Sequence, residues 1–79
     1  MDRNRYVKGL TDELTKLAPD KDAIRRYVER KGYKVNSAAD LPGGGWWFSA
    51  EHRQPGMNFP KLTVRWDENK TTPLSVEVN

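Results

Sequence analysis

The sequence predicts an α+β domain in ααββββ order: two N-terminal helices packed on one face of a small antiparallel sheet of three to four strands. Three observations predict it. Apolar residues recur at helical spacing as far as Val28 and alternate with a period of two after Gly32. The inward residues of the last three strand segments are all even-numbered, so these segments share one apolar face. Glycine and proline fall between the strand segments rather than inside them.

The first helix follows from Tyr6, Val7, Leu10, Leu14 and Leu17, with Asp2 or Asn4 as its cap and Pro19 ending the run. Gly9 inside it costs about 1 kcal/mol relative to alanine, which predicts fraying of the first turns. Asp20 is the N-cap of the second helix, and Asp22 suits the positive end of its dipole. Ala23, Ile24, Tyr27 and Val28 form its apolar face. Lys31 sits in the last turn, Gly32 takes the left-handed position after it, and Tyr33 folds back on Val28. The short link at residues 18–19 makes the two helices a hairpin or a bent pair.

A short first strand is marked by Tyr33 and Val35. Residues 37–45, with Pro42 and three successive glycines, read as a loop. A second strand covers residues 46–52 and a second loop residues 53–60. Lys61–Asp67 is the cleanest strand, because Leu62, Val64 and Trp66 alternate with Lys61, Thr63 and Arg65. Residues 67–70 read as a turn, and Leu74, Val76 and Val78 alternate to the C-terminus. Setting Trp46 opposite Trp66 puts Phe48 against Val64 and Ala50 against Leu62 on the inner face. The same register pairs Trp47 with Arg65, Ser49 with Thr63 and Glu51 with Lys61 outside, each pair favourable by about 0.2–1 kcal/mol.

At 79 residues a single domain over residues 1–79 is expected. A chain of this size buries roughly 60% of the surface that it exposes when unfolded. With 35% apolar and 32% charged residues, the core is thin and leans on its Trp, Tyr and Phe rings. The absence of cysteine excludes disulfides, thiolate metal sites and a thiol nucleophile. Residues 1–5 lack the apolar run of a signal peptide, and no stretch approaches membrane-spanning length, so a cytoplasmic setting without a membrane partner is expected. Asn69-Lys70-Thr71 matches a glycosylation sequon by chance in such a setting.

Enzymatic chemistry finds little support. His52 is the one histidine, and its neighbour Glu51 points to the opposite face of the strand. Asp12-Glu13 and Asp67-Glu68 are explained by solvated surface. The triple glycine lacks the preceding strand, the Lys-Ser/Thr and the following helix of a phosphate loop. It reads instead as a flexible connection ahead of a bulky strand. No enzyme, cofactor or metal is expected.

Binding signals are clearer. The net charge is +3, from 14 basic and 11 acidic residues. Arg25, Arg26, Arg30, Lys31 and Lys34 lie close together with Glu29 as the only acid among them. Arg26 and Arg30 are one helical turn apart, away from Ile24 and Val28, a spacing able to follow a phosphate backbone. The plain alternative is a solvated helix face in which Glu29 pairs with Arg25 or Arg26. Arg53 and Arg65 add charge on the sheet side, diluted by Glu51, Asp67, Glu68 and Glu77.

Alternation forces Trp47 away from the core. There it stacks on a base, fills a partner's pocket, lies over Arg65 or packs on the 37–45 loop. Tyr6, Met57 and Phe59 are further candidate anchors for a protein partner. The C-terminal strand is a candidate edge for pairing with another chain, a second copy included. The run from Leu14 to Ala18 leading into Asp22 to Tyr33 resembles the end of a winged-helix motif over less than half of the chain. The third helix of that motif is missing, and no family follows from the resemblance.

Two functions therefore compete. One is a non-enzymatic binding protein acting on nucleic acid, or on a nucleic-acid-handling complex, through the basic second helix and the aromatic strand. The alternative is a protein-binding adaptor or inhibitor of the phage or mobile-element kind, working by surface occlusion and able to act as a homodimer.

Overall fold

The structure, a computed structural model, describes residues 2–79. Helices α1 (Arg3–Thr15) and α2 (Lys21–Arg30) precede four strands: β1 (Tyr33–Asp40), β2 (Gly45–His52), β3 (Lys61–Asp67) and β4 (Leu74–Val78). The strands form one antiparallel sheet in the order β1-β2-β3-β4, so the fold is the α+β meander that the sequence predicts. Both β1 and β4 are edge strands. Helix α1 lies against β4 and α2 against β1, which leaves a groove between the helices and the opposite sheet face uncovered.

Each helix starts where a side chain satisfies its free amides. Asp2 accepts from Asn4 N–H at 3.0 Å, and Asp20 accepts from Ala23 N–H at 3.1 Å. Helix α1 runs unbroken through Gly9 but stops at Thr15, so Leu17 packs on the core from the turn beyond the helix. Helix α2 is stopped by Gly32, two residues past its last residue, whose φ is 104° and whose N–H donates to the Glu29 carbonyl at 3.0 Å. Space also demands glycine there, since an added Cβ would lie 2.6 Å from His52 Nε2. His52 Nδ1 accepts from Gln54 N–H at 3.0 Å, which leaves Nε2 to carry the proton and donate to the Lys31 carbonyl at 3.0 Å. Nε2 thus holds the end of α2 to the sheet, while Nδ1 fixes the start of the loop that follows β2.

The β2–β3 register is the expected one. Trp46, Phe48 and Ala50 stand opposite Trp66, Val64 and Leu62 inside, and Trp47, Ser49 and Glu51 opposite Arg65, Thr63 and Lys61 outside. The first strand is longer than its sequence pattern. Residues 37–40, expected in a loop, pair with β2 through Asp40. Their side chains are exposed, so apart from Lys21 Nζ at 3.9 Å from Asp40 Oδ1 only backbone hydrogen bonding holds them, and no apolar alternation marks them. A bulge between Val35 and Ser37 also shifts the face of the strand in mid-course.

The buried core joins Leu10 and Leu14 of α1 and Ile24 and Val28 of α2 to Tyr33, Phe48, Leu62, Val64 and their sheet neighbours. Trp46 stacks on Phe48 with ring centroids 5.9 Å apart, and its Nε1 donates to the Pro19 carbonyl at 3.1 Å. That bond ties the link between the helices to the sheet.

Tyr33 organises the other end. Its hydroxyl donates to the Phe59 carbonyl at 2.8 Å and accepts from the Tyr6 hydroxyl at 3.0 Å. Burial first, and the Tyr6 hydroxyl second, push the Tyr33 phenol up from its ordinary value of 10.0. A raised folded value means that this contribution to stability is whole below the unfolded value and is lost as pH rises above it. Tyr33→Phe is expected to cost about 1–3 kcal/mol by stranding the Phe59 carbonyl. It is also expected to flatten the loss of stability as pH rises from about 10 to about 12, as read from urea midpoints.

Candidate functional site

Successive α2 residues turn by about 100°, so burying Ile24 and Val28 sends Arg26 and Arg30 to the far side. Both are exposed. Arg25 Nε lies 3.8 Å from Glu29 Oε1, so the one acid of this stretch is engaged by Arg25. Arg26 and Arg30 have no acidic partner among the described residues. The Arg30 guanidinium and Lys31 Nζ lie 5.9 and 5.6 Å from the Tyr27 ring centroid, inside cation–π range. That contact sets Lys31 on the flank of α2 that faces α1 and Arg30 just outside it, toward Arg26.

A groove of about 290 Å³ separates the helices there. Tyr6, Gly9 and Leu10 line its α1 side, and Tyr27 and Lys31 its α2 side, with Arg5 and Glu13 at the rim. Glu13 is held by Lys16 at 3.4 Å, whereas Arg5 and Lys31 have no acidic partner among the described residues. The groove is therefore bordered by net positive charge. Arg5 was not among the residues singled out from sequence. Nothing local distinguishes it; only the antiparallel return of α2 brings its end beside the start of α1.

The remaining predicted cations divide. Arg53 N–H donates to the Gly32 carbonyl at 2.8 Å, which brings Arg53 beside the end of α2. Arg53 and Lys34 border a shallow depression together with Glu51 and His52. Arg65 stands apart on the uncovered sheet face, with Nη2 3.7 Å from Asp67 Oδ2. The structure thus gathers Arg25, Arg26, Arg30, Lys31, Lys34 and Arg53 around α2 and its end, and leaves Arg65 out.

The aromatic candidates divide too. Tyr6, Met57 and Phe59 meet, with the Tyr6 and Phe59 ring centroids 5.0 Å apart beside a pocket of about 150 Å³. Met57, 38% exposed, is the large apolar side chain most open to solvent among the described residues. Trp47 is on the uncovered face, half-buried in the cross-strand row Ala39, Trp47, Arg65, Ser75. It does not belong to the core cluster. Arg65 reaches toward Asp67 and makes no cation–π contact with the ring. Ser49, Thr63 and Ser75, all small and polar, share that face with it.

Among the described residues no three His, Cys, Asp or Glu side chains gather as metal ligands, and no helix is long and apolar enough to cross a membrane. No protein-family model matches the chain, and neither a curated protein nor a solved structure matches it.

Proposed function

We propose that the protein is a non-enzymatic nucleic-acid-binding module whose phosphate contacts come from the outer face of α2. The observation that carries this reading is the pair Arg26 and Arg30. They are exposed, about 6 Å apart along the helix axis, and free of acidic partners because Glu29 pairs with Arg25. Exposed cations without partners keep their full charge for a polyanion. Arg5 and Lys31 extend the positive surface on one side, and Arg53 and Lys34 on the other. The same surface suits a nucleic acid held by a larger complex.

Fluorescence anisotropy with a labelled duplex and a labelled single strand tests the reading. Four neutralised phosphates are expected to give about a hundredfold loss of duplex affinity between about 50 and 200 mM salt. Absence of binding to either probe at about 50 mM salt contradicts it.

A second reading, a protein-binding adaptor or inhibitor, is favoured by the exposed Met57 beside Tyr6 and Phe59. It moves the anchor from Trp47 to this cluster. On that reading Met57→Asp abolishes nuclease-resistant capture of a partner from lysate, while the unfolding free energy from urea titration stays within about 0.5 kcal/mol of the parent. Capture that survives Met57→Asp removes the cluster as the anchor.

A further inference from the structure

We infer that the groove between α1 and α2 takes one unpaired base of a single-stranded nucleic acid, with the adjoining phosphates on Arg5 and Lys31. This rests on the nucleic-acid reading above and narrows it to a strand type and a pocket.

Gly9 is the starting point. Glycine inside a helix is unfavourable, and neither the backbone nor the packing of this protein calls for one at this position. Its φ is not in the left-handed region. A Cβ built on it meets no atom within 4 Å. Alanine would fit and would strengthen α1, so the fold itself gives no reason for the glycine. The groove does. Gly9 lines it, and a bare Cα lets a flat group lie directly against the helix backbone.

The groove suits such a group in shape and charge. Tyr6 and Leu10 face Tyr27 across it, so its walls are largely aromatic and apolar. Its volume of about 290 Å³ is at the small end for a ligand site, sized for one ring system rather than a folded segment. The cations at its rim lack acidic partners, and the one acid there is held by Lys16. A flat ring flanked by negative charge matches both properties. An acidic peptide carrying an aromatic residue shares that chemistry. The positive surface, however, continues past the groove along Arg30 and Arg26, which fits a repeating phosphate backbone better than a single acidic side chain. A base reaches a pocket like this only when it is neither paired nor stacked, so the strand is single.

The test compares three labelled probes with the full chain at one salt concentration: oligo(dT) of about twelve nucleotides, an abasic strand of the same length, and a duplex. Oligo(dT) is expected to bind about tenfold or more tighter than the abasic strand. Gly9→Leu fills the groove while improving helix propensity, so the variant folds. It is expected to bring oligo(dT) down to the affinity of the abasic strand and to leave the abasic strand and the duplex unchanged.

Equal affinity of the parent chain for oligo(dT) and the abasic strand overturns the inference. So does oligo(dT) binding that Gly9→Leu does not weaken. In both cases salt-sensitive duplex binding leaves the α2 reading standing. An acidic aromatic peptide that binds the parent and not Gly9→Leu, while oligo(dT) shows no preference, assigns the groove to a protein and overturns it. Failure of every probe to bind removes the underlying reading as well.

Discussion

Gly45→Ala is expected to lower the urea midpoint of the protein sharply while leaving it folded in water. Gly45 has φ 119°, and a Cβ on it would collide with the Trp66 carbonyl. That oxygen belongs to the β3 backbone, directly across from the start of β2, and cannot rotate away as a side chain would. Relief requires β2 to separate from β3 where Trp46 faces Trp66 and Phe48 begins the buried row. Backbone strain and displaced packing together are expected to cost about 3 kcal/mol or more. That is a large share of the roughly 5–15 kcal/mol that holds a small domain. Gly44→Ala is expected to cost less, because the atoms nearest its added Cβ belong to the flexible Glu68 carboxylate, 2.9 Å away. Urea denaturation of the two variants checks the contrast. Equal midpoints would contradict the close approach at Trp66.

Arg26→Glu combined with Arg30→Glu is expected to abolish nucleic-acid binding, a loss of at least about a hundredfold at low salt. Each substitution removes one cation and adds one anion on the outer face of α2. The fold is expected to survive, since both side chains are exposed and neither forms an ion pair. Arg65→Glu is the contrasting variant. Arg65 lies on the uncovered sheet face and already pairs with Asp67, so its reversal is expected to change duplex affinity by no more than about threefold. Similar losses from the two changes would mean that the contact surface is diffuse rather than centred on α2.

The parts of the fold that could be read from sequence are those where a side chain carries the signal. Asp2, Asp20 and Gly32 mark helix ends by chemistry that acts within a few residues. The alternation of Leu62, Val64 and Trp66 against Trp46, Phe48 and Ala50 specifies one register, because a shift of one residue would turn every apolar side chain outward. The second half of β1 carried no such signal: Ser37, Ala38 and Ala39 pair through backbone alone and stay exposed. The triple glycine was legible as a special connection but not as a close approach, since its partner is the Trp66 carbonyl of the same chain.

The candidate site divides in the same way. The turn spacing of Arg26 and Arg30 and the outward placement of Trp47 follow from helix and strand periods. The placement of Arg5 and the groove beside Gly9 depend on how two helices come together across the sheet. No local pattern records that.

On the proposed function Arg26 and Arg30 contact phosphate directly, and the slope of log affinity against log salt for a duplex, taken for the parent chain and for Arg26→Ala with Arg30→Ala, tests that contact. Loss of two phosphate contacts is expected to make the slope shallower by about 1.8. An unchanged slope would show that these two arginines touch no phosphate and would contradict the proposed function.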